Sequence, residues 1–466
     1  MNIRNTILFL FVAGLFYVLF VTGSGCAQIG SPVGGPRDSL PPVLLNSNPA
    51  NRALNFKGNR IVLTFDEYVQ VSDLQKNLLV SPTPKINPVV DFKLKTVSIK
   101  LRDTLQPNTT YNIQLGNAIE DINEGNPYRD YSYVFSTGTY IDSFQFRGNV
   151  LLAETGKADS TLQVYLYNSL GDSVVYKEKP RYIARIDSSG NFLFNHLAGG
   201  VYNVFALKDE SGQKMYNNPT QLFAFADSTI TISAEEKSVK LFAFAEEKGL
   251  QKPATANTSA KAEADKKLKY TTSTASGGQD LLSPLSLIFN LPLKNFDSLK
   301  IRLTDTLFTP VQNYTVSRDS TKKKVIVQNN WQEDLDYVLL IEKDFATDTV
   351  GNELAKSDTI KFKTKKERDY GNIKINFTNL EKINNPVLQF ISNNEIFFSA
   401  ALTSSTFSRK LFEPGEYEIR ILSDENKNGS WDPGSYHLKK QPEIVTSIPR
   451  KVNIRANWEN EIDISL

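Results

Sequence analysis

A run of oxygen-bearing residues near the end of the sequence has the spacing that most clearly suggests metal chemistry. The residues alternate along one segment, as Asp424, Asn426, Asn428, Ser430 and Asp432. Calcium loops place oxygen ligands at alternate positions and a glycine at the sixth, which here is Gly429. Asp and Asn side chains would supply oxygen ligands, together with the backbone carbonyl of Ser430.

The same segment also has an interpretation without metal. The twelfth position is Ser435, where a calcium loop usually carries a bidentate glutamate, and no helical periodicity flanks the segment. Asn and Gly favour β-turns for reasons of backbone conformation alone. A weak calcium site and a metal-free turn therefore both stay open, and we expect no other cofactor.

Cys26 is the single cysteine of the chain, and its thiol is placed where a lipid could be attached. An apolar run from Ile7 to Val21 precedes it, followed by small residues up to Gly25. This run is shorter than the roughly 20 residues of a membrane span and has the length of a signal-peptide core. The pattern resembles the lipobox of bacterial lipoproteins, although Gly23 stands where leucine is usual. An uncleaved anchor and an ordinary secretory signal are the alternatives.

The lipoprotein resemblance implies a location and a division of the N-terminal region. Residues 1–25 would be the signal peptide and residues 26–37 a flexible spacer rich in Gly and Pro. No aspartate follows Cys26 directly, and no acidic cluster follows it. Similarity to Bacteroidota-type lipoproteins then implies a lipid anchor in the outer membrane, with the protein facing the periplasm rather than the cell surface.

Catalytic chemistry is not indicated by the remaining motifs. The two histidines, His196 and His437, fall at non-equivalent places, and no nucleophile-elbow, zinc-protease or phosphate-loop motif occurs. Asp66 and Glu67 are neighbours in a predicted strand, so their side chains should point to opposite faces. The net charge of +2 gives no electrostatic footprint for nucleic acid. We therefore expect neither an enzyme nor a nucleic-acid-binding protein.

The elements that carry these residues are predicted to be strands. The chain has 28 Phe and 19 Tyr, and short runs of Val, Ile, Thr, Tyr and Phe alternate with turn residues. The fold class expected is all-β, with tandem β-sandwiches after the signal. Within residues 38–140, a strand at 59–69, a Pro107-to-Tyr111 turn and a Gly-Asn turn at 121–126 resemble the SbsA-type bacterial Ig-like domain.

Residues 141–246 follow a different pattern. Strands at 162–167 and 182–194 are followed by a Gly-x-Tyr step at Gly200–Tyr202. This resembles the transthyretin-like, or carboxypeptidase-regulatory-like, β-sandwich. Residues 247–280 are rich in Lys, Ala, Thr, Ser and Gly and are predicted to be a disordered linker.

After this linker the pattern starts again, which indicates an internal repeat. Residues 281–366 resemble a divergent Ig-like domain, with Asp348 to Asn352 matching the earlier Gly-Asn turn. Residues 367–466 resemble a second transthyretin-like sandwich, with a Gly-x-Tyr step at Gly415–Tyr417.

The function expected is that of a non-enzymatic cell-envelope lipoprotein that acts as a structural or interaction module. Its partner would be an envelope protein whose identity the sequence does not give. Glycan binding is the alternative, because the run from Tyr128 to Tyr133 alternates aromatic and charged residues and could stack on sugar rings.

Overall fold

The computed structural model describes residues 9–17, 37–235, 237–247, 267–274 and 278–466. The chain folds into two compact units, Met1–Ile141 and Asp142–Leu466. Residues 9–17 form helix α1, inside the predicted signal peptide, whereas Cys26 lies outside the described residues. Among the described helices, none combines the length and the apolar character needed to cross a membrane. Nearly every other element is a strand, so the all-β prediction is confirmed.

The first unit is a β-sandwich with a two-stranded ribbon at its side. Its sheets have the orders β1-β2-β6-β5 and β4-β7-β9, and β3 pairs with β8. The elements are β1 (Leu44–Asn48), β2 (Arg60–Phe65), β3 (Val69–Val71), α2 (Leu74–Asn77), β4 (Leu79–Ser81), β5 (Val89–Lys93), β6 (Thr96–Lys100), β7 (Thr110–Gly116), β8 (Ile119–Asp121) and β9 (Tyr131–Ser136).

Alternation of side chains explains why these segments become sandwich strands. In β2, Ile61, Leu63 and Phe65 are fully buried, and the residues between them are less buried. Each such side chain contributes about 1.5–3 kcal/mol of burial free energy. Period-two burial therefore fixes the register, because a shift by one residue would expose the apolar set.

The second unit begins with a sandwich over residues 142–246. Its sheets have the orders β13-β10-β17 and β12-β11-β14-β15, and β16 pairs with β14. The elements are β10 (Phe144–Leu152), β11 (Gln163–Tyr167), α3 (Val174–Lys177), β12 (Tyr182–Arg185), β13 (Asn191–Leu197), β14 (Gly200–Leu207), β15 (Phe223–Phe225), β16 (Ile230–Ile232) and β17 (Ser238–Ala243).

The next nine strands repeat the strand order of the first unit. Their sheets are β18-β19-β23-β22 and β21-β24-β26, with β20 paired to β25. The elements are β18 (Tyr270–Thr272), β19 (Leu285–Phe289), β20 (Leu293–Phe296), a 3-10 helix (Ser298–Lys300), β21 (Ile301–Thr304), β22 (Thr315–Arg318), β23 (Lys324–Gln328), β24 (Asp336–Ile341), β25 (Ala346–Asp348) and β26 (Asp358–Lys363).

The last eight strands repeat the order of the sandwich at 142–246. Their sheets are β30-β27-β34 and β29-β28-β31-β32, and β33 pairs with β31. The elements are two 3-10 helices (Glu367–Asp369 and Leu380–Lys382), β27 (Gly371–Thr378), β28 (Pro386–Ser392), β29 (Glu395–Ala401), β30 (Thr406–Phe412), β31 (Gly415–Ser423), β32 (Ile444–Ser447), β33 (Val452–Ile454) and β34 (Glu459–Ser465).

One part of the predicted linker is wrong. Within residues 247–280, Tyr270 pairs with Phe289, and Leu268 is 5% exposed in the core that contains Leu285 and Leu287. The strand is only three residues long, so a composition dominated by Ser, Thr and Lys concealed it. Residues 248–266 and 275–277 lie outside the described residues. The subdivision of the second unit at the other predicted boundaries stays a prediction.

Candidate functional site

The segment that follows β31 brings together the residues of the predicted calcium loop. Asp424 is 2% exposed. Its Oδ1 accepts a hydrogen bond from the Asn428 backbone N at 3.2 Å, and its Oδ2 accepts one from Gly429 N at 2.7 Å. Gly429 has φ +77°, a left-handed conformation that glycine adopts without steric cost. The loop therefore wraps around the Asp424 carboxylate.

The other predicted ligands close the loop on itself. The side-chain amides of Asn426 and Asn428 both donate to Asp432 Oδ2, at 2.5 and 2.7 Å. Asn428 Oδ1 accepts from Ser430 N at 2.7 Å. In this arrangement the amide groups point nitrogen, not oxygen, at the Asp432 carboxylate. Within the described ranges, no group of three or more His, Cys, Asp or Glu side chains is arranged to hold a metal ion.

Glu443 completes this loop, and the sequence pattern did not indicate it. The residue is 4% exposed; its Oε1 accepts from Glu425 N at 2.9 Å and its Oε2 from Asp432 N at 3.0 Å. The indole Nε1 of Trp431 donates to the backbone oxygen of Glu443 at 2.7 Å. One buried carboxylate thus connects the two ends of the loop. It lies outside the twelve-residue spacing, so no local motif could have identified it.

Tyr436, just beyond this loop, packs into an aromatic pocket on the sandwich at 142–246. Its ring centroid lies 5.2 Å from those of Phe223 and Phe225, 5.6 Å from Phe205 and 5.9 Å from Tyr176. Tyr436 is 4% exposed, and its burial raises the pKa of the phenol. Most of the aromatic pairs are edge-to-face, the geometry that aromatic rings prefer.

Polar groups around the Tyr436 ring fix its position. The hydroxyl donates to the backbone oxygen of Asp172 at 2.9 Å, and the backbone N donates to Glu246 Oε1 at 2.8 Å. Lys439 Nζ lies 3.8 Å from the ring centroid and 2.8 Å from Asp172 Oδ1. These contacts join two sandwiches that are far apart in sequence. We call the contact of Tyr436 and Lys439 with the pocket the Tyr436 clasp.

Close backbone packing supports the clasp. A Cβ on Gly434 would lie 2.7 Å from a ring carbon of Phe244 and 2.6 Å from the Lys440 oxygen, so only glycine fits there. Gln441 Nε2 donates to Phe225 O at 3.1 Å and to Asp227 Oδ1 at 2.6 Å.

A second contact joins the same two sandwiches. Lys157 Nζ lies 2.7 Å from Glu418 Oε2, and Arg420 Nε lies 2.8 Å from Glu418 Oε1. Burial would raise the pKa of Glu418, but the hydrogen bonds from Lys157 and Arg420 outweigh it and lower the pKa. Val445 N donates to Ala153 O at 2.9 Å. A Cβ on Gly156 would lie 2.5 Å from Val445 O.

The remaining candidate residues form no catalytic arrangement. His196 Nδ1 lies 3.1 Å from Asp142 O, and His437 is exposed. Asp66 Oδ1 accepts from Val43 N at 2.8 Å, which is a structural role. Burial, then the charges of Asp121 and Asp66, raise the pKa of Glu67.

The aromatic side chains considered for glycan stacking are one buried and two half-buried tyrosines. Tyr133 is fully buried, and its hydroxyl donates to Pro49 O at 2.9 Å. Tyr128 and Tyr131 are half-buried, with ring centroids 5.4 Å apart. The run therefore offers less stacking surface than the sequence suggested, because Tyr133 lies in the core and Tyr128 and Tyr131 pack partly against it.

The two Gly-Asn turns share one carboxylate-centred geometry. Asp121 Oδ1 accepts from the backbone N of Asn123, Glu124 and Gly125, and its Oδ2 from that of Asn126. Asp348 accepts in the same manner from Val350 and Asn352. Both aspartates are buried, at 1% and 3% exposure, and hold the connection that follows β8 or β25.

Comparison with known proteins supports the Ig-like assignment. Residues 38–137 match the family model of the bacterial Ig-like domain, which confirms the domain type predicted for residues 38–140. No curated protein sequence matches the chain.

Three solved structures are similar to parts of this chain. The Bacillus anthracis TIE protein is 11% identical, with 93% of this chain and 75% of that one covered and a TM-score of 0.17. The major pilin subunit BcpA of Bacillus cereus is 9% identical, with 70% and 99% covered and a TM-score of 0.17. The N-terminal part of the bacterial S-layer protein SbsC is 15% identical, with 44% of each covered and a TM-score of 0.16.

Proposed function

We propose that this chain is a non-enzymatic lipoprotein of the cell envelope whose β-sandwiches act as a structural and interaction module. The observation that carries the proposal is the Tyr436 clasp. It connects the sandwich at 142–246 with the final sandwich of the chain. The contact between Lys157 and Glu418 connects the same two sandwiches. A module of this kind holds its loops and strand edges in fixed relation, which suits a spacer or a docking platform.

A further contact within the second unit agrees with a rigid module. Tyr370, directly before β27, donates its hydroxyl to Asp280 Oδ2 at 2.8 Å and accepts from Leu281 N at 2.8 Å. The residues that enter β19 are thereby fixed to those that enter β27.

Membrane attachment through Cys26 is the second part of the proposal. It is supported by the apolar run, the small residues before the cysteine and the presence of a single thiol. The anchor would lie in the outer membrane and the protein would face the periplasm. Several acyl chains would make the attachment stable, whereas one alone binds reversibly.

Two measurements test this function. Metabolic labelling with a fatty-acid analogue should label the wild-type chain and not Cys26→Ser, with Ser24→Ala as the matched control that keeps its label. Crosslinking in intact cells with mass spectrometry should recover an envelope protein bound to the chain. Recovery of none would overturn the interaction role, and unlabelled wild-type protein would overturn the lipid anchor.

Calcium binding by the Asp424 loop is a second, narrower proposal. The observation in its favour is that Asp424 is a buried carboxylate within the loop and that a second one, Glu443, is bonded to both ends of the loop. Asn426, Asn428 and Asp432 would add further oxygens. Rotation of the two Asn amides would turn their oxygens towards Asp432. Glycan binding is the alternative for the module as a whole, and a glycan array with the purified chain tests it directly.

A further inference from the structure

The sheet β30-β27-β34 has two edge strands of opposite charge. On β30, Lys410 is exposed and Arg409 is half-buried. On β34, the exposed residues include Glu459, Glu461 and Asp463. Among the described residues, each edge strand has a hydrogen-bonded neighbouring strand on one side only, which is β27. An uncovered strand edge offers backbone donors and acceptors for pairing with another chain.

The two edges are matched in register through the strand between them. Asn376 pairs with Thr406 on one side and with Asp463 on the other. Lys374 pairs in the same way with Ser408 and Glu461. Asn372 pairs with Glu459 on β34. On the β30 side, the register of pairing shifts between Gly371 and Ile373, so Asn372 lies opposite the segment that contains Lys410. Residues at one level of a sheet share a face, so each acidic residue of β34 has a basic or hydroxyl counterpart on β30.

We propose that the β34 edge of one copy of this chain pairs with the β30 edge of a second copy. Within one copy, β34 runs parallel to β27 and β30 runs antiparallel to it. If a second copy is placed beside the first by translation in the plane of the sheet, its β30 lies next to the β34 of the first copy. These two strands then run antiparallel to each other. Lys410 of one copy then meets Glu459 of the other. The hydroxyls of Ser408 and Thr406 meet Glu461 and Asp463 as hydrogen-bond donors.

On the opposite face of the sheet, the two edge strands carry apolar side chains at the same level. Phe407 and Ile462 both pair with Ile375 and are both half-buried. In the paired copies these two side chains become cross-strand neighbours, which covers apolar surface that each edge leaves partly open. Such cross-strand pairs contribute about 0.2–1 kcal/mol each.

The equivalent sheet of the other sandwich provides an internal comparison. Its order β13-β10-β17 corresponds strand by strand to β30-β27-β34, with the same parallel and antiparallel pairs. Its edges do not have opposite charges: β13 contains no acidic or basic residue apart from His196, and β17 contains Lys240. The fold therefore does not itself require the charge pattern of β30 and β34.

The predicted contact is heterologous, because two different edges meet. Such contacts continue from copy to copy and form open arrays rather than closed dimers. An interface of one strand pair is small, and interfaces below about 1,200 Å² are typical of weak or transient association. This inference names the partner of the interaction module proposed above and rests on that function.

Sedimentation velocity of the full chain in mild detergent tests the pairing, over a range of protein concentrations and at low and high salt. We expect species larger than a dimer at high concentration, and fewer of them at high salt because the ion pairs are screened. Lys410→Glu and Glu459→Lys should each weaken association at least tenfold. Lys240→Glu, on the equivalent sheet, is the matched control and should associate like the wild type.

Complementation makes the result decisive. A mixture of Lys410→Glu and Glu459→Lys should associate again, and so should the double variant, because each then offers opposite charges across the contact. Wild-type protein that stays monomeric at every concentration would overturn the pairing, as would a loss confined to one of the two variants. If that monomeric protein still crosslinks to another envelope protein in cells, the module function stands and the self-pairing alone falls.

Discussion

The hydroxyl of Tyr436 donates a hydrogen bond of 2.9 Å to the backbone oxygen of Asp172, across 264 positions of the sequence. Lys439 approaches the same aspartate through its side chain, at 2.8 Å. One turn of the chain thus reaches both the backbone and the carboxylate of Asp172. The contact joins the sandwich at 142–246 to the final sandwich.

Removal of the Tyr436 ring should destabilise the second unit. Tyr436→Ala deletes a buried aromatic side chain, and comparable deletions cost about 3–5 kcal/mol. Tyr436→Phe keeps the ring and loses one hydrogen bond, worth about 0.5–1.5 kcal/mol. Chemical denaturation followed by fluorescence measures both. Tyr68→Ala, at a 52% exposed tyrosine of the first unit, is the control and should change little. Equal stability of Tyr436→Ala and wild type would show that the clasp does not hold the unit together.

The hydrogen bond from Val445 to Ala153, part of the second contact between these sandwiches, should require a glycine at position 156. Gly156 has φ +67°, and a Cβ there would lie 2.5 Å from Val445 O. Gly156→Ala should therefore push Val445 away and break its hydrogen bond to Ala153. Hydrogen exchange should become faster at the Val445 amide. Gly212→Ala is the matched control, because Gly212 also has a positive φ but has no atom within 4 Å of the added Cβ. Unchanged protection at Val445 in Gly156→Ala would contradict the close packing.

Sequence patterns predicted strands and an internal repeat, but they did not indicate the contacts between sandwiches. Alternation predicted a strand at 59–69, where the structure has β2 (Arg60–Phe65) followed by a separate β3 (Val69–Val71). The Asp-to-Asn turns at Asp121 and Asp348, matched in the sequence, have the same geometry. The loop from Asp424 to Asp432 forms as one cluster. Local patterns are sufficient for such features, because each depends on residues close together in the chain.

Features that depend on distant residues were not found from the sequence. Tyr436 lies in a loop with Gly434, Ser435 and His437, a composition typical of exposed turns, and its pocket is formed more than 200 positions earlier. Glu443 has no motif around it and gains its role only when β32 returns beside the loop. Strand β18 depends on pairing with β19, since Tyr-Thr-Thr alone gives too short a signal.

Acid should destabilise the two units through equivalent aspartates. Burial would raise the pKa of Asp121, but backbone hydrogen bonds from Glu124, Asn126, Gly125 and Asn123 outweigh it and hold the pKa below its ordinary value of 3.8. A lowered pKa means that the ionised form stabilises the folded state above pH 3.8 and that this contribution is lost as the pH falls through the folded pKa. The pKa of Asp348 is lowered in the same manner.

Asparagine variants separate the contribution of Asp121 to the acid sensitivity of the first unit from that of Asp348 to the second. Asp121→Asn should lower the stability of the first unit at neutral pH, by about 1.5–3 kcal/mol for a hydrogen bond to a charged group, and flatten its stability profile below pH 4. Asp348→Asn should do the same for the second unit and leave the first unchanged. Thermal unfolding between pH 2 and pH 7 measures both. An Asp121→Asn profile parallel to that of the wild type would show that this carboxylate does not carry the acid sensitivity.

Calcium binding by the loop should change the environment of Trp431. The indole donates to Glu443 O and packs against Val387, Leu422 and Val445, so reorientation of the loop around a cation should alter its fluorescence. Affinities of about 10⁻⁴–10⁻³ M are typical of calcium sites in extracellular modules, so the titration must reach millimolar calcium. Asp432→Asn removes one negative charge while keeping the shape of the side chain, and should shift the midpoint to higher calcium. The loop that follows β14 in the earlier sandwich corresponds to the Asp424 loop, which follows β31, and it contains Asp209. Asp209→Asn is therefore the control and should titrate like the wild type. No fluorescence change at millimolar calcium, with magnesium as the reference cation, would leave the loop as a metal-free turn held by Asp424 and Glu443.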